Sequence, residues 1–267
     1  KILQGDIYRR AGDYDRAIED IQKAIKNFEG LDHRNLADSY YYLGFAQWYK
    51  AIEERNNGLL IEAQRTFEKC IEMSENYKLN MELPKALHEV SQIYWELGDK
   101  EKARSVNNEA YDLAIKAHDI YYSINSLVKK AEFDYEDSKY ENIPEYAEVL
   151  KREFEDKRYE FPLFYGRMRR IRGAIAYHQE KYDDSSDYYA EGLYLIVQHG
   201  GYGKYTIDNE LRELEANLSR LSTESSLKFY LTLKEVWEKK DKKNLKLTTW
   251  IDRHICSLFL KIKQSGA

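Results

Sequence analysis

The chain has 267 residues, of which 43% are hydrophobic and 33% charged, with three Pro and a net charge of −5. Mixed charges of slightly acidic balance argue against general nucleic-acid binding. No apolar run approaches the ~18 residues of a membrane span.

The first residues read as a helix already under way, and the chain starts at Lys1, not Met. The sequence is therefore expected to be a piece of a longer protein. A turn phrase follows at once, Gly12-Asp13-Tyr14-Asp15-Arg16-Ala17. It is echoed at Gly98-Asp99-Lys100-Glu101-Lys102-Ala103 and, degraded, at Lys181-Tyr182-Asp183-Asp184-Ser185. Each copy sits between two amphipathic stretches, as the turn of a helical hairpin does. One such hairpin cannot bury enough apolar surface alone, so recurrence implies stacking.

Small residues recur at three positions when the hairpins are aligned on these turns. First helices carry Gly5, Gly44, Ser91, Ala131 and Gly173. Early in the second helices stand Ala17, Ala63, Ala103, Ile143 and Ser185, and later Ala24, Cys70, Ala110, Leu150 and Gly192. Helix axes ~8–10 Å apart leave little room for side chains at a crossing, which accounts for small residues there. The first-helix positions are 39, 47, 40 and 42 residues apart. The long second step is read as both helices of that hairpin extended through 52–61, with Asn56-Asn57-Gly58 turning the chain. Pro84, Pro144 and Pro162 fall at or just before predicted helix starts, where a missing N–H costs little.

After the fifth hairpin comes His199-Gly200-Gly201-Tyr202-Gly203, the expected boundary. Amphipathic stretches follow at 205–220, 223–239 and 244–264. The last has Leu247, Trp250, Ile251, Ile255, Leu258, Phe259 and Ile262 on one face. The lysine-rich 239–243 is read as a solvated loop. Cys70 and Cys256 both fall on apolar faces and are expected to be buried thiols, with no disulfide framework.

This pattern of small residues and turns resembles the tetratricopeptide repeat. The resemblance implies an all-α fold: a right-handed α-solenoid of about five hairpins over 1–200, with a C-terminal helical cap over 204–264. Repeats of ~40 residues, against the common ~34, resemble the C-terminal sensor arrays of bacterial signal-transduction ATPases and regulators. They also resemble the peptide-pheromone receptors of Gram-positive bacteria.

In that family the first helices line a concave surface. The positions that point into the groove carry Asp6, Arg9 and Arg10 in hairpin one, and Tyr41, Phe45, Trp48 and Tyr49 in hairpin two. They carry His88, Gln92, Trp95 and Glu96 in hairpin three, and Val128, Glu132, Tyr135 and Glu136 in hairpin four. Hairpin five adds Arg167, Arg170, Tyr177 and His178. Aromatic residues and arginine dominate binding hot spots. Three residues, Trp48, Tyr49 and Trp95, are the expected anchors. Arg167 and Arg170 are the expected orienting charges.

The resulting expectation is an interaction module for a protein or peptide segment of apolar and acidic character. The competing expectations are a groove filled by the protein's own side chains, and a scaffold that self-associates through its outer face or its C-terminal helices. Trp237, Trp250 and Phe259 are then the interface residues. No phosphate loop, His-Glu-x-x-His, Gly-x-Ser-x-Gly or Cys-x-x-Cys occurs, and no catalysis, metal or cofactor is expected. The absent signal and membrane segments lead to an expected cytoplasmic location.

Overall fold

The computed structural model describes residues 2–158, 160–199, 223–239 and 245–265, and every regular element among them is helical. The chain divides into two compact units, Lys1–Lys130 and Ala131–Ala267.

The first unit holds α1 (Ile2–Arg10), α2 (Tyr14–Phe28), α3 (His33–Glu54), α4 (Asn57–Asn76), α5 (Glu82–Glu96) and α6 (Lys100–Lys116), with the first part of α7 (Ile120–Glu136). Helices adjacent in sequence pack together from α1 through α6, as an α-solenoid of hairpins requires. The small residues lie where the alignment expects crossings. A Cβ added to Gly44 would come within 2.9 Å of the Phe67 ring, and one on Gly5 within 2.5 Å of Ile21 Cγ1. Ala17, Ala63, Ser91, Ala103 and Ala110 are each 0% exposed. Between α2 and α3, the helix face of Ile21 and Ile25 meets Leu36, Leu43 and Ala46.

The long second hairpin turns where the sequence implied. The Asn56 side chain accepts hydrogen bonds from Gly58 N and Leu59 N, so α4 is capped. Asp13, Asp32 and Asp99 cap α2, α3 and α6 in the same way, each accepting from the backbone N–H three residues on.

Seven of the described turns also close by a repeated device. One residue takes a left-handed conformation, and the next N–H reaches back five residues, as in Asp13 N to Tyr8 O and Asp99 N to Tyr94 O. Gly12 and Gly98 fill the left-handed position there, whereas Arg55, Lys78, His118, Ser138 and Glu180 fill it elsewhere.

The second unit holds the rest of α7, then α8 (Ile143–Phe154), α9 (Pro162–His178), α10 (Tyr182–His199), α11 (Thr223–Lys239) and α12 (Leu245–Ser265). Asp134 of α7 is 1% exposed and accepts hydrogen bonds from Asn142 Nδ2 and the Tyr146 hydroxyl, both at 2.9 Å. Ile143 and Leu150, the two large residues at small-residue positions, are buried at 0% and 3% exposure. Gly173 and Gly192 mark the α9–α10 crossing: Cβ atoms there would approach Tyr189 and the Arg170 backbone within 2.9 Å.

Beyond α10, the helices α11 and α12 extend the same apolar core. Tyr189, Ala190 and Leu193 pack with Phe229, Tyr230, Leu233, Ile251 and Ile255. The glycine cluster at 200–203, the stretch 205–220 and most of the lysine-rich loop lie outside the described residues.

One expectation needs correction. Cys70 is buried, but Cys256 is exposed. The buried stripe of α12 runs through Ile251 and Ile255, and one residue onward rotates ~100° away from it.

Candidate functional site

The residues assigned to the concave face separate by burial. Tyr41, Trp48, His88, Gln92, Arg167 and Tyr177 are interior, between 1% and 9% exposed. Arg9, Phe45, Tyr49, Trp95, Tyr135 and Arg170 are half-buried, and Arg10 and His178 are exposed. Trp48, an expected groove anchor, is thus interior. Its ring is covered by its neighbours, with centroids 5.8 Å from Phe45 and 5.6 Å from Tyr49.

At the α1–α3 end of the first unit, several of the assigned residues form one cluster. Asp6 holds two guanidinium groups. Arg9 donates to Oδ1 from Nε at 2.9 Å and from Nη2 at 2.6 Å, and Arg10 Nε donates to Oδ2 at 2.8 Å. One carboxylate thus faces two guanidiniums. The Arg9 guanidinium lies over the rings of Phe45 and Tyr49, 5.1 and 5.4 Å from their centroids. A cation within ~6 Å of a ring centroid is attracted by the ring's negative face. Tyr14 stacks on Tyr49 at 6.3 Å, and Ile52, one helical turn past Tyr49, is 44% exposed.

Beneath this surface stands an incomplete group. Trp48 is 4% exposed, and its indole N–H is buried with no hydrogen-bond partner. A buried donor left unpaired costs about 1–3 kcal/mol.

Further along, the first helices meet each other. The hydroxyls of Tyr41 on α3 and Tyr122 on α7 lie 2.6 Å apart. The His88 ring stands edge-on to Tyr122 at 5.8 Å, and its Nδ1 is 3.0 Å from Ser126 Oγ. Glu89, Gln92, Asn125 and Lys129 are buried as well. Burial pushes the Tyr41 and Tyr122 hydroxyls well above the ordinary phenol range, and the nearby Glu89 charge adds to the effect. This stretch of the inward face is thus filled by the protein's own polar side chains.

Trp95 is placed apart from the α1–α3 cluster, beneath two cations. Lys100 Nζ lies 4.8 Å and the Arg104 guanidinium 5.3 Å from its ring centroid.

In the second unit, Arg167 Nε donates to Glu132 Oε1 at 2.8 Å, and both side chains are almost fully buried. That makes Arg167 a partner of Glu132 within the fold. Tyr135 and His178 gather around Tyr140, at 5.8 and 5.5 Å between centroids.

Sequence reasoning missed Tyr14, Tyr122 and Ser126. Tyr14 was visible inside the turn phrase. Tyr122 and Ser126 carried no signal, because their partners Tyr41 and His88 stand on helices remote in sequence.

Among the described residues, no group of three His, Cys, Asp or Glu side chains is placed to hold a metal ion. No helix of the described residues is long and apolar enough to cross a membrane.

Residues 2–28 and 84–114 match the tetratricopeptide repeat family. These segments are the α1–α2 hairpin and most of the α5–α6 hairpin. No curated relative matches the chain. Two hairpins of this chain thus match the tetratricopeptide repeat, with small residues buried at their crossings.

Proposed function

We propose that the chain binds a protein or peptide segment on the inward faces of its first helices, as an interaction module and not a catalyst. Tetratricopeptide repeats mediate protein–protein interactions generally. The observation that carries the finer reading is the half-buried aromatic and guanidinium cluster of Arg9, Phe45 and Tyr49, beside exposed Arg10 and Ile52. Large aromatic faces supply contact area at low entropic cost. The two guanidiniums at Asp6 support a partner with acidic as well as apolar residues. A place within a larger regulatory or signalling protein of the cytoplasm belongs to the same proposal.

A peptide display library is the direct test. Selected peptides should be rich in apolar and acidic residues, and should protect α1 and α3 from hydrogen exchange. Replacing Tyr49 with Ala should weaken them roughly tenfold, as loss of a hot-spot residue does. Selected peptides that protect only the outer helices would overturn the reading.

Self-association is the second reading. It is favoured by the outer side of α12, where Phe259 and Leu260 are 47% and 61% exposed beside the exposed Cys256. Light scattering across a concentration series tests it. A mass that rises, and returns to the monomer value in Leu260→Asp, supports it.

A further inference from the structure

The partner-binding reading leaves one detail of the α1–α3 cluster without a role, the buried and unpaired indole N–H of Trp48. Its setting has three features. The ring is flanked by Phe45 and Tyr49, which are half-buried. Arg9 stacks on those same two rings and is held in place by Asp6. On the far side of Phe45, Tyr41 packs at 5.2 Å and is tied to Tyr122. The cluster thus ends at a closed wall toward α7 and has its half-buried rings beside α1.

An indole nitrogen can only donate, so this N–H has no use for a cation or for a second donor. Arg9 and Arg10 already answer the Asp6 carboxylate, and they are better placed than Trp48 to receive an anionic group. The chemistry left for Trp48 is a neutral acceptor on a segment whose neighbouring side chain is apolar.

We propose that Trp48 is a main-chain carbonyl site. A partner segment lays an aromatic or aliphatic side chain against Phe45 and Tyr49, displaces part of that cover, and brings one peptide carbonyl oxygen to Trp48 Nε1. This rests on the interaction-module reading and adds to it the atom that fixes the segment's register. A hydrogen bond to a backbone carbonyl selects no side chain, so sequence preference at this point comes from the aromatic wall alone. The partner is therefore extended or turn-like here, because a helical segment has already spent its interior carbonyls on its own backbone.

The test uses a small probe and the intact chain. N-acetyl-L-phenylalaninamide carries a ring and two amide carbonyls, whereas ethylbenzene carries the ring without any hydrogen-bond acceptor. The protein has four tryptophans, so ¹⁵N labelling gives four indole N–H resonances, and the Trp48 signal is the one lost in Trp48→Phe. Titration with the amide should move that resonance downfield in a saturable way. The hydrocarbon should bind without the downfield shift. Trp48→Phe, which keeps an aromatic ring but removes the donor, should bind the amide about tenfold more weakly, the loss expected for one hydrogen bond. A saturable amide complex with an unmoved Trp48 resonance overturns the proposal, as does equal affinity in Trp48→Phe. Display-selected peptides that protect α1 and α3 yet leave the Trp48 resonance in place would keep the module reading and remove this one.

Discussion

The hydroxyl of Tyr41 reaches over one complete hairpin to meet the hydroxyl of Tyr122, 2.6 Å away and 81 residues later in the chain. Two neutral phenols in contact cannot both be replaced by charges at that spacing. Both groups resist ionisation in the fold, chiefly through burial, while an unfolded tyrosine titrates near 10.0. The folded state therefore keeps its protons at pH values where the unfolded state loses them. Stability should be flat with respect to these groups below about pH 10 and fall above it. Urea midpoints measured on either side of that value check the sign. In the Tyr41→Phe/Tyr122→Phe double variant, the alkaline fall should be shallower.

At the centre of the aromatic cluster, Trp48 separates volume from hydrogen bonding. Trp48→Ala empties a large buried site and should cost about 3–5 kcal/mol. Trp48→Phe removes a donor that has no partner, so it should cost well under half as much. Chemical denaturation of the two variants measures both. Equal losses would place the importance of the residue in its N–H and not in its bulk.

Arg167 and Glu132 form a nearly buried ion pair in the second unit. Removing one partner strands the other charge, so Arg167→Met should cost about 3–5 kcal/mol. Adding Glu132→Leu to that variant should restore much of the loss, because two apolar groups need no pairing. A double variant as unstable as the single one would show that packing around Arg167, not charge, sets the cost.

Two glycines should fail for different reasons. Gly44→Ala forces a methyl group against the Phe67 ring and should destabilise by about 1–3 kcal/mol through overpacking. Gly12→Ala meets open space, but its φ of +81° strains any L-residue, so about 1–2 kcal/mol is expected from the backbone alone. Shortening Phe67 to Leu should rescue Gly44→Ala and leave Gly12→Ala unaffected.

The two thiols should differ in reactivity. Cys70 is buried, and burial pushes its thiol up to about 12, whereas Cys256 is exposed. Iodoacetamide should label Cys256 in the native protein and reach Cys70 only on unfolding, as peptide mass mapping would show.

The crossings were legible because distance leaves a direct mark on sequence. Where two helix backbones nearly touch, only Gly, Ala, Ser or Cys fits, and Gly44 and Gly173 announce such contacts plainly. The turns were most legible where a glycine fills the left-handed position. The two segments that match the repeat family contain the turns with Gly12 and Gly98. Arg55, Ser138 and Glu180 adopt the same geometry without the family's signature. The site was less readable than the fold. A groove position names a direction on one helix, but exposure depends on what a neighbouring helix brings there. Trp48 and Phe45 differ by three residues on α3, yet one is interior and the other half-buried.

The Tyr41–Tyr122 contact also bears on how the chain folds. In an array where packing joins helices next to each other in sequence, stability is close to a sum of neighbour terms, and partial unfolding can begin at any weak joint. A tie from α3 to α7 couples the hairpins between its ends, since neither helix leaves without breaking a bond to the other. The segment from α3 to the start of α7 should therefore melt as one cooperative block, and α1 should fray ahead of it.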